Sequence, residues 1–353
     1  MTNRFGYGLI ATMATASIVL AGGEGEDKKG EKNKNTRTLE RLANSPAPQG
    51  ATLKAAPGKG FTVDLGDDFS VNIQNRIQVR WTYANMENSG DTNNFAVNRL
   101  RTAMGGHVWD KDTTYGVQLE YAMGSLIRDA WLRRNFWTSE DGNMNVALRV
   151  GQFRGRHGLE YEGSSFELEH AARSISSRTF SGTRVLGARL EGSALEGGKL
   201  NWGIAAVNDD PALASFIAEG GGNVHGAANA DNELNFLFDL RFDPMGAMDM
   251  SQGDLAHTEE LMGTVGASVM VGNHRNGTPV DVESTSININ TAWKYQGIYA
   301  LAEIFMRSDD TQGGTESDHT GWNVHEDART GPTCLSPTFN RRRFPSSLAA
   351  HAG

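Results

Sequence analysis

The residues best suited to chemistry lie between Val146 and Glu191, a window that is rich in arginine and contains no lysine. A guanidinium group is permanently charged, and its planar fork binds phosphate or carboxylate through two hydrogen bonds. The window holds seven arginines and five glutamates, namely Arg149, Arg154, Arg156, Arg173, Arg178, Arg184, Arg189, Glu160, Glu162, Glu167, Glu169 and Glu191. It is therefore cationic within a chain of net charge −9. This pattern predicts an anion-binding surface; the alternative is a solvated loop whose arginines pair with its own glutamates.

Two predicted strands hold the ends of this window. Apolar residues alternate with other residues from Val146 to Val150 and again from Arg184 to Leu190, which indicates one strand on each side. Between the strands lies a connection of roughly 25 residues that begins with a glycine-rich stretch. Connections of this length are uncommon in compact domains and are usually either functional or disordered.

The same residues resemble a known family. Leu148–Arg154 (LRVGQFR), Leu159-Glu160, Ser164–Glu167 and Arg184–Gly187 occur in the order seen in the phosphate-selective porin O/P family. The resemblance covers the chain from about Phe61 to about Ser308. One departure is Arg156, which stands where that family usually has proline.

The resemblance implies a fold and a function. The fold is an all-β, antiparallel transmembrane β-barrel of about 16 strands, which is incomplete at the C-terminus in this chain. The protein is then a passive outer-membrane porin, usually trimeric, whose third loop folds inward and narrows the pore. The partners implied are small anions, with phosphate or polyphosphate as the family's substrates, and the lipid of the bacterial outer membrane.

Eight arginines are the candidates for lining an anion path. Arg99 and Arg101 share one face of a predicted strand from about Phe95 to Trp109, and lipid would penalise each charge by about 2–4 kcal/mol, so both are predicted to face the lumen. Arg149 and Arg184 are predicted to face the lumen because of their positions in the alternating pattern of their strands. The loop arginines are candidates because of the family resemblance. The anion-binding and pore-lining candidates are Arg99, Arg101, Arg149, Arg154, Arg156, Arg173, Arg178 and Arg184.

Alternation along the rest of the chain predicts about ten or eleven strands. The clearest are Phe69–Tyr83, whose length exceeds that of ordinary globular strands, and Leu234–Phe242, whose outward face is strongly apolar. The strand Ile298–Arg307 is apolar on both faces apart from Glu303, so its lipid face is left unassigned. Long strands of this kind fit a tilted membrane barrel.

Composition argues against several other structural and functional classes. No internal apolar run reaches the roughly 18 residues that a membrane-spanning helix needs, whereas a barrel needs only alternate residues to face lipid. The acidic balance argues against nonspecific nucleic-acid binding. A single cysteine, Cys334, excludes an intrachain disulfide and a multi-cysteine zinc site.

The predicted domain organisation has four parts. Residues 1–23 resemble a signal peptide, 24–60 form a charged, proline-containing flexible tether, and 61–325 form the barrel with its constriction loop at about 154–180. Residues 326–353 lack alternation and end without the aromatic residue that closes related barrels. We therefore expect this tail to be truncated or frame-shifted relative to the family.

Catalytic and metal-binding motifs are absent from the sequence, so no enzyme, cofactor or metal is predicted. Two weaker interpretations remain: the acidic stretch from Asp249 to Glu260 as a calcium loop rather than a solvated loop, and Glu160 with Glu162 as a glycosidase pair. The competing functions are a secreted, soluble all-β glycan-binding protein, a general non-selective porin, and a non-functional fragment.

Overall fold

The computed structural model describes residues 51–84, 92–122, 127–164, 168, 173–181, 184–208, 233–275, 281–314 and 316–328. The predicted signal peptide, the tether up to residue 50, Cys334 and the tail beyond residue 328 lie outside these ranges. No helix in the described ranges is long and apolar enough to cross a membrane.

The described chain forms one sheet of 14 strands, in which each strand pairs with its neighbours in chain order. The pairings are antiparallel along the chain, which confirms the all-β, antiparallel prediction. The strands β1 and β14 are the edges of the sheet, so the described residues do not close a barrel. The strands are β1 (Thr52–Ala56), β2 (Gly60–Asp64), β3 (Ser70–Ala84), β4 (Thr92–Val108), β5 (Asp110–Glu120), β6 (Ile127–Thr138), β7 (Asn145–Arg154), β8 (Arg184–Ala194), β9 (Leu200–Val207), β10 (Asn235–Phe242), β11 (Met262–Arg275), β12 (Asp281–Tyr295), β13 (Ile298–Thr311) and β14 (Glu316–Ala328).

The ends of the sheet differ from the predicted boundaries. The strand β1 lies inside the predicted tether and β2 begins at residue 60, so strand structure starts before residue 61. All five residues of β1 are exposed, and a strand without a buried face carries no apolar alternation to detect. At the other end β14 continues to Ala328, beyond the predicted limit at residue 325.

The outer face of the sheet is apolar. On β10, Phe236, Phe238, Leu240 and Phe242 are between 41% and 50% exposed, as the sequence predicted for this face. On β3 the exposed alternate residues are Ile77, Val79, Trp81 and Tyr83. A water-facing surface would not carry contiguous apolar rows of this length, because exposed patches that large mark contact with another apolar phase.

The inner face is polar except at two apolar clusters, one that includes Phe153, Val185 and Leu237 and one that includes Ala292, Tyr299 and Leu301. Its buried side chains include the charged residues of β4 to β8 and the small polar residues of β11 to β13, among them Arg101, Glu120, Arg189, Glu191, Thr264, Ser284, Ser286 and Asn288. Charged residues are almost never fully buried in soluble domains unless they are paired. The polarity of the sheet is therefore inverted relative to a soluble sandwich, with apolar residues outside and polar residues inside.

The sheet is strongly curved. The backbone amide of Glu160, six residues after the end of β7, donates a hydrogen bond of 3.0 Å to Glu303 Oε1 on β13. Six strand spacings in a flat sheet would cover roughly 29 Å, about the most that six fully extended residues (roughly 20 Å) and the Glu303 side chain could span together, and Leu159 and Glu160 are helical rather than extended. The inner faces of β7 and β13 must therefore turn toward each other around the connection between β7 and β8.

Candidate functional site

The connection between β7 and β8 lies against the inner face of the sheet. It contains two short helices, α1 (Leu159–Glu162) and α2 (Ile175–Phe180). At its start, the ring of the fully buried His157 lies 2.9 Å from Ser268 Oγ on β11 and 2.9 Å from Ser286 Oγ on β12. Burial lowers the pKa of His157 to about 3, so the ring is neutral and hydrogen-bonds both hydroxyls without carrying charge.

Gly158 directs the chain from this histidine into α1. Its φ is +102°, and a Cβ at this position would lie 2.3 Å from Ser181 Oγ and 3.0 Å from Phe305 Cζ. Both the backbone conformation and the space therefore require glycine here.

Glu160 fixes α1 to the rest of the connection and to β14. Its carboxylate accepts hydrogen bonds from Ser174 N at 3.0 Å, from Ser174 Oγ at 2.6 Å and from Asn323 Nδ2 at 3.2 Å. These contacts give Glu160 a structural role, which is to join α1 to Ser174 and to β14.

The helix α2 covers the inner face of β13 and β14. Ser174 caps its first turn by accepting from Ser177 N at 3.1 Å, and Ser176 Oγ donates to the Trp322 carbonyl at 2.7 Å. The ring of Phe180 stacks on Phe305 with centroids 5.8 Å apart. The inner face of β13 is apolar because this connection covers it. The exposed residues of β13, such as Ile304 and Met306, lie on the outer face, which the sequence left unassigned.

Four arginines gather around Tyr161 of α1, and a fifth, Arg101, interacts with two of them; the five are here called the arginine cluster. Arg173 lies over the Tyr161 ring at 4.6 Å. Electrostatic interactions connect Tyr161 with Arg128, Arg154 and Arg184, and connect Arg128 with Arg101. The members are Arg101, Arg128, Arg154, Arg173 and Arg184.

Acidic residues neutralise only part of the arginine cluster. Arg101 pairs with the buried Glu120, and Arg184 pairs with Asp129 at 3.2 Å. Arg154 donates instead to the carbonyl oxygens of Glu162 and Gly163, the latter at 3.0 Å. Arg128 is 9% exposed and its Nε has no hydrogen-bond partner. Within the described ranges, neither Arg128 nor Arg154 forms an ion pair with a carboxylate.

The other predicted arginines lie elsewhere on the inner side. Arg99 is buried and donates to Gln78 Oε1 on β3. Arg156 and Arg178 are half-buried in the connection, and neither makes an ion pair with a described carboxylate. Thus four of the eight candidates, namely Arg101, Arg154, Arg173 and Arg184, come together in the arginine cluster.

Arg149 belongs to a separate salt-bridge network, which is nearly neutral. Glu191 accepts from Arg133 and from Arg149, each at 2.7 Å, and from Arg189 at 3.0 Å. Arg189 also donates two hydrogen bonds, of 2.5 and 2.8 Å, to the carboxylate of Asp239 on β10. The side chain of Arg149 further stacks over the Trp131 ring at 4.5 Å.

Arg128 is not among the candidates from the sequence, because regular alternation along β6 would place it on the lipid-facing side, opposite Asp129, which pairs with the inward Arg184. The structure has a register shift here: Gln118 pairs with Asp129 and Leu119 pairs with Ile127, so Arg128 is an extra residue in β6. A bulge of this kind redirects the side chain. A charge on a predicted lipid face was the signal that parity fails at this point.

In the acidic stretch after β10, Asp249, Glu259 and Glu260 are exposed, as expected for a solvated loop, whereas Asp254 is not. Asp254 is buried and accepts hydrogen bonds from Thr258 Oγ1 at 2.6 Å and from Gly297 N at 2.8 Å. Over the described ranges, no group of three or more acidic, histidine or cysteine side chains is arranged to hold a metal ion.

Comparisons with known proteins give little beyond this geometry. No family model and no curated protein matches the chain. Among solved structures, a loop L8 deletion mutant of OmpT, an outer membrane protein of Vibrio cholerae, aligns at 9% identity and a TM-score of 0.36, covering 74% of this chain and 89% of that chain. The in-vitro folded OmpT aligns at 8% identity and a TM-score of 0.34, covering 74% and 83%. Values this low carry over neither residues nor function.

The identification of the fold therefore depends on the molecule's own geometry. A long-stranded antiparallel sheet, curved around an inward connection, with an apolar outer face and a polar inner face, satisfies the requirements of a membrane-spanning β-structure. This is the architecture of an outer-membrane β-barrel, with the sheet open between β1 and β14 over the described residues.

Proposed function

We propose that the protein is a passive outer-membrane channel that admits small anions past the arginine cluster. The observation that carries this proposal is the pair of arginines, Arg128 and Arg154, that lie inside the sheet without a carboxylate partner among the described residues. The channel is proposed to have no catalytic activity, and its partners are proposed to be small anions and the lipid around its outer face.

The physical basis is the cost of uncompensated charge. A guanidinium group withdrawn from water is unfavourable unless another charge or polar group stabilises it. An anion that enters the pore replaces part of its own hydration shell with these fixed donors, so anions concentrate there and cations are repelled. Guanidinium forks match phosphate geometry, which together with the family resemblance supports phosphate or polyphosphate as the substrate class. A trimeric assembly is likewise proposed from the resemblance alone.

A general, non-selective pore is the second candidate. The salt-bridge network favours it, because Glu191 and Asp239 offset two of the three positive charges of Arg133, Arg149 and Arg189 in that part of the interior. Selectivity under our proposal thus depends on the arginine cluster and not on the total number of arginines.

The two candidates differ in the reversal potential of the purified protein in a planar bilayer under a potassium chloride gradient. We expect a reversal potential displaced toward the chloride equilibrium potential, because the arginine cluster repels potassium. A reversal potential near zero would support the non-selective pore, and one displaced toward the potassium equilibrium potential would contradict both candidates.

A further inference from the structure

Residues 243–261, which connect β10 to β11 and are here called the inner segment, enter the interior of the sheet. Met248 is only 6% exposed and packs in one cluster with Leu159 of α1 and with Ala292 and Tyr299 on the inner faces of β12 and β13. The two connections therefore meet inside the sheet, although they leave it at opposite ends, since β7 and β10 run in opposite directions.

The backbones of the two connections also come close together. A Cβ built on Gly163, the residue after α1, would lie 3.2 Å from the carbonyl oxygen of Met250. With Met248 against Leu159, this close approach places the end of α1 between the inner segment and the inner face of the sheet.

A buried lysine attaches the inner segment to β12. Lys294 is 4% exposed; its ammonium group donates to Ser251 Oγ at 2.9 Å and lies 3.6 Å from an Asp249 carboxylate oxygen. The same ammonium lies 5.8 Å from the centre of the Tyr299 ring. A lysine side chain with so little exposure is stable as a cation only with partners of this kind, so these contacts hold the segment inward.

Asp254 attaches the segment at a second point, the tight turn between β12 and β13. Burial raises the pKa of its carboxyl group, but the hydrogen bonds from Thr258 and from the Gly297 amide lower it by more, so its pKa lies below the usual value. Gln296 N also donates to the Thr258 carbonyl at 2.8 Å. The inner segment is thus attached to the sheet at two points after Met248, one through Asp249 and Ser251 and one through Asp254 and Thr258.

We infer that the inner segment is a positioning element for α1 and, through α1, for the arginine cluster. The connection is direct, because α1 carries Tyr161, over which Arg173 lies, and the end of α1 supplies the carbonyl oxygens that hold Arg154. When the inner segment withdraws, α1 loses the apolar contact on its open side and these guanidinium groups lose their fixed geometry. The inference deepens the proposed function, but its principal test does not depend on ion selectivity.

The test is amide hydrogen exchange of α1 in a Met248→Ala variant of the full chain. The amides to follow are those of Glu160, Glu162 and Gly163, which donate to Glu303 Oε1 and to the carbonyls of Gly158 and Leu159. We expect exchange at least about tenfold faster than in the parent protein, because truncating a buried methionine removes packing from one side of a short helix. Met248→Leu should restore slow exchange.

The matched control is Met245→Ala, which truncates the same residue type in the same segment at a side chain that is 39% exposed. We expect its α1 amides to exchange as in the parent. Equal rates in the two alanine variants, or faster exchange spread through all the strands, would overturn the inference. If Met248→Ala does not fold, Lys294→Met tests the same inference by the exchange of the same α1 amides. Faster exchange confined to α1 would support the inference, and unchanged exchange or faster exchange in all the strands would overturn it.

Reversal potential provides a second readout. If the parent channel is anion-selective, Met248→Ala should move its reversal potential toward zero and Met248→Leu should not. A parent channel without anion preference would contradict the proposed function but leave the exchange result standing, so the two failures are distinguishable.

Discussion

An Arg189→Met variant is expected to unfold with a free energy about 3–5 kcal/mol below that of the parent protein, the usual cost of removing one partner of a buried ion pair. Arg189 is 1% exposed, and its guanidinium binds Asp239 through two hydrogen bonds and Glu191 through a third. Without it, Asp239 is left as a buried carboxylate that has lost both of these bonds. Urea titration of the protein in lipid vesicles, followed by tryptophan fluorescence, measures the change.

Two further variants isolate the cause. Arg80→Met, at an exposed arginine on β3, should change the free energy of unfolding by less than about 0.5 kcal/mol. The double variant Arg189→Met, Asp239→Leu should recover much of the lost stability, because it also removes the buried carboxylate that has no partner in the single variant. A single Arg189→Met variant as stable as the parent would show that the salt-bridge network does not hold β8 to β10.

Replacing Arg128 and Arg154 together by methionine is expected to lower the ratio of anion to cation permeability about tenfold, which corresponds to about 1.4 kcal/mol. The reason is that these two members of the arginine cluster have no ion pair with a described carboxylate, so their charge is available to an entering anion. Methionine keeps the length of the side chain and removes its charge. The quantity to measure is the reversal potential under a salt gradient.

The matched control is Arg134→Met, on the same strand as Arg128. Arg134 is exposed and pairs with Asp110 at 2.5 Å at the end of the sheet. Its loss should leave the permeability ratio unchanged to within about a factor of two, since exposed ion pairs are screened by salt. Equal effects of the control and the double variant would show that overall charge, rather than the arginine cluster, sets selectivity.

Most strands were predictable from sequence, because a strand with one apolar face keeps a period of two along its length, although about ten or eleven strands were predicted and the described ranges contain 14. Leu234 to Phe242 gave both the extent of β10 and its outer face. The short strand β1 was not predictable, because none of its residues is buried and nothing constrains which side chains are apolar.

The site was predictable only in part, because parity along a strand fails at a bulge. Arg101 and Arg184 were identified from alternation along their strands, whereas Arg128 was missed, because it turns inward only through a register shift in the pairing of β5 with β6. A pairing irregularity of this kind depends on how two strands align with each other. It therefore produces no recognisable pattern in the sequence of either strand alone.

Long-range packing was the other obstacle. The inner face of β13 is apolar because Phe180 and Leu159, more than a hundred residues earlier in the chain, cover it. Met248 was not among the residues singled out from the sequence, because it directly precedes an acidic stretch, with Asp249 and Asp254, that was expected to be a solvated loop. Local composition does not reveal that both carboxylates bond groups on the inner segment or on β12 and the turn that follows it.

The claim that everything else requires is that the outer face of the sheet meets lipid while the inner face meets water. Spin labels at single cysteines on β10, introduced in a Cys334→Ser background, test it in lipid vesicles. Oxygen, which partitions into lipid, should strongly relax the spin labels at positions 236, 238 and 240. A water-soluble nickel complex should strongly relax those at positions 239 and 241. A strand whose labels all respond to the nickel complex, without alternation, would contradict the account.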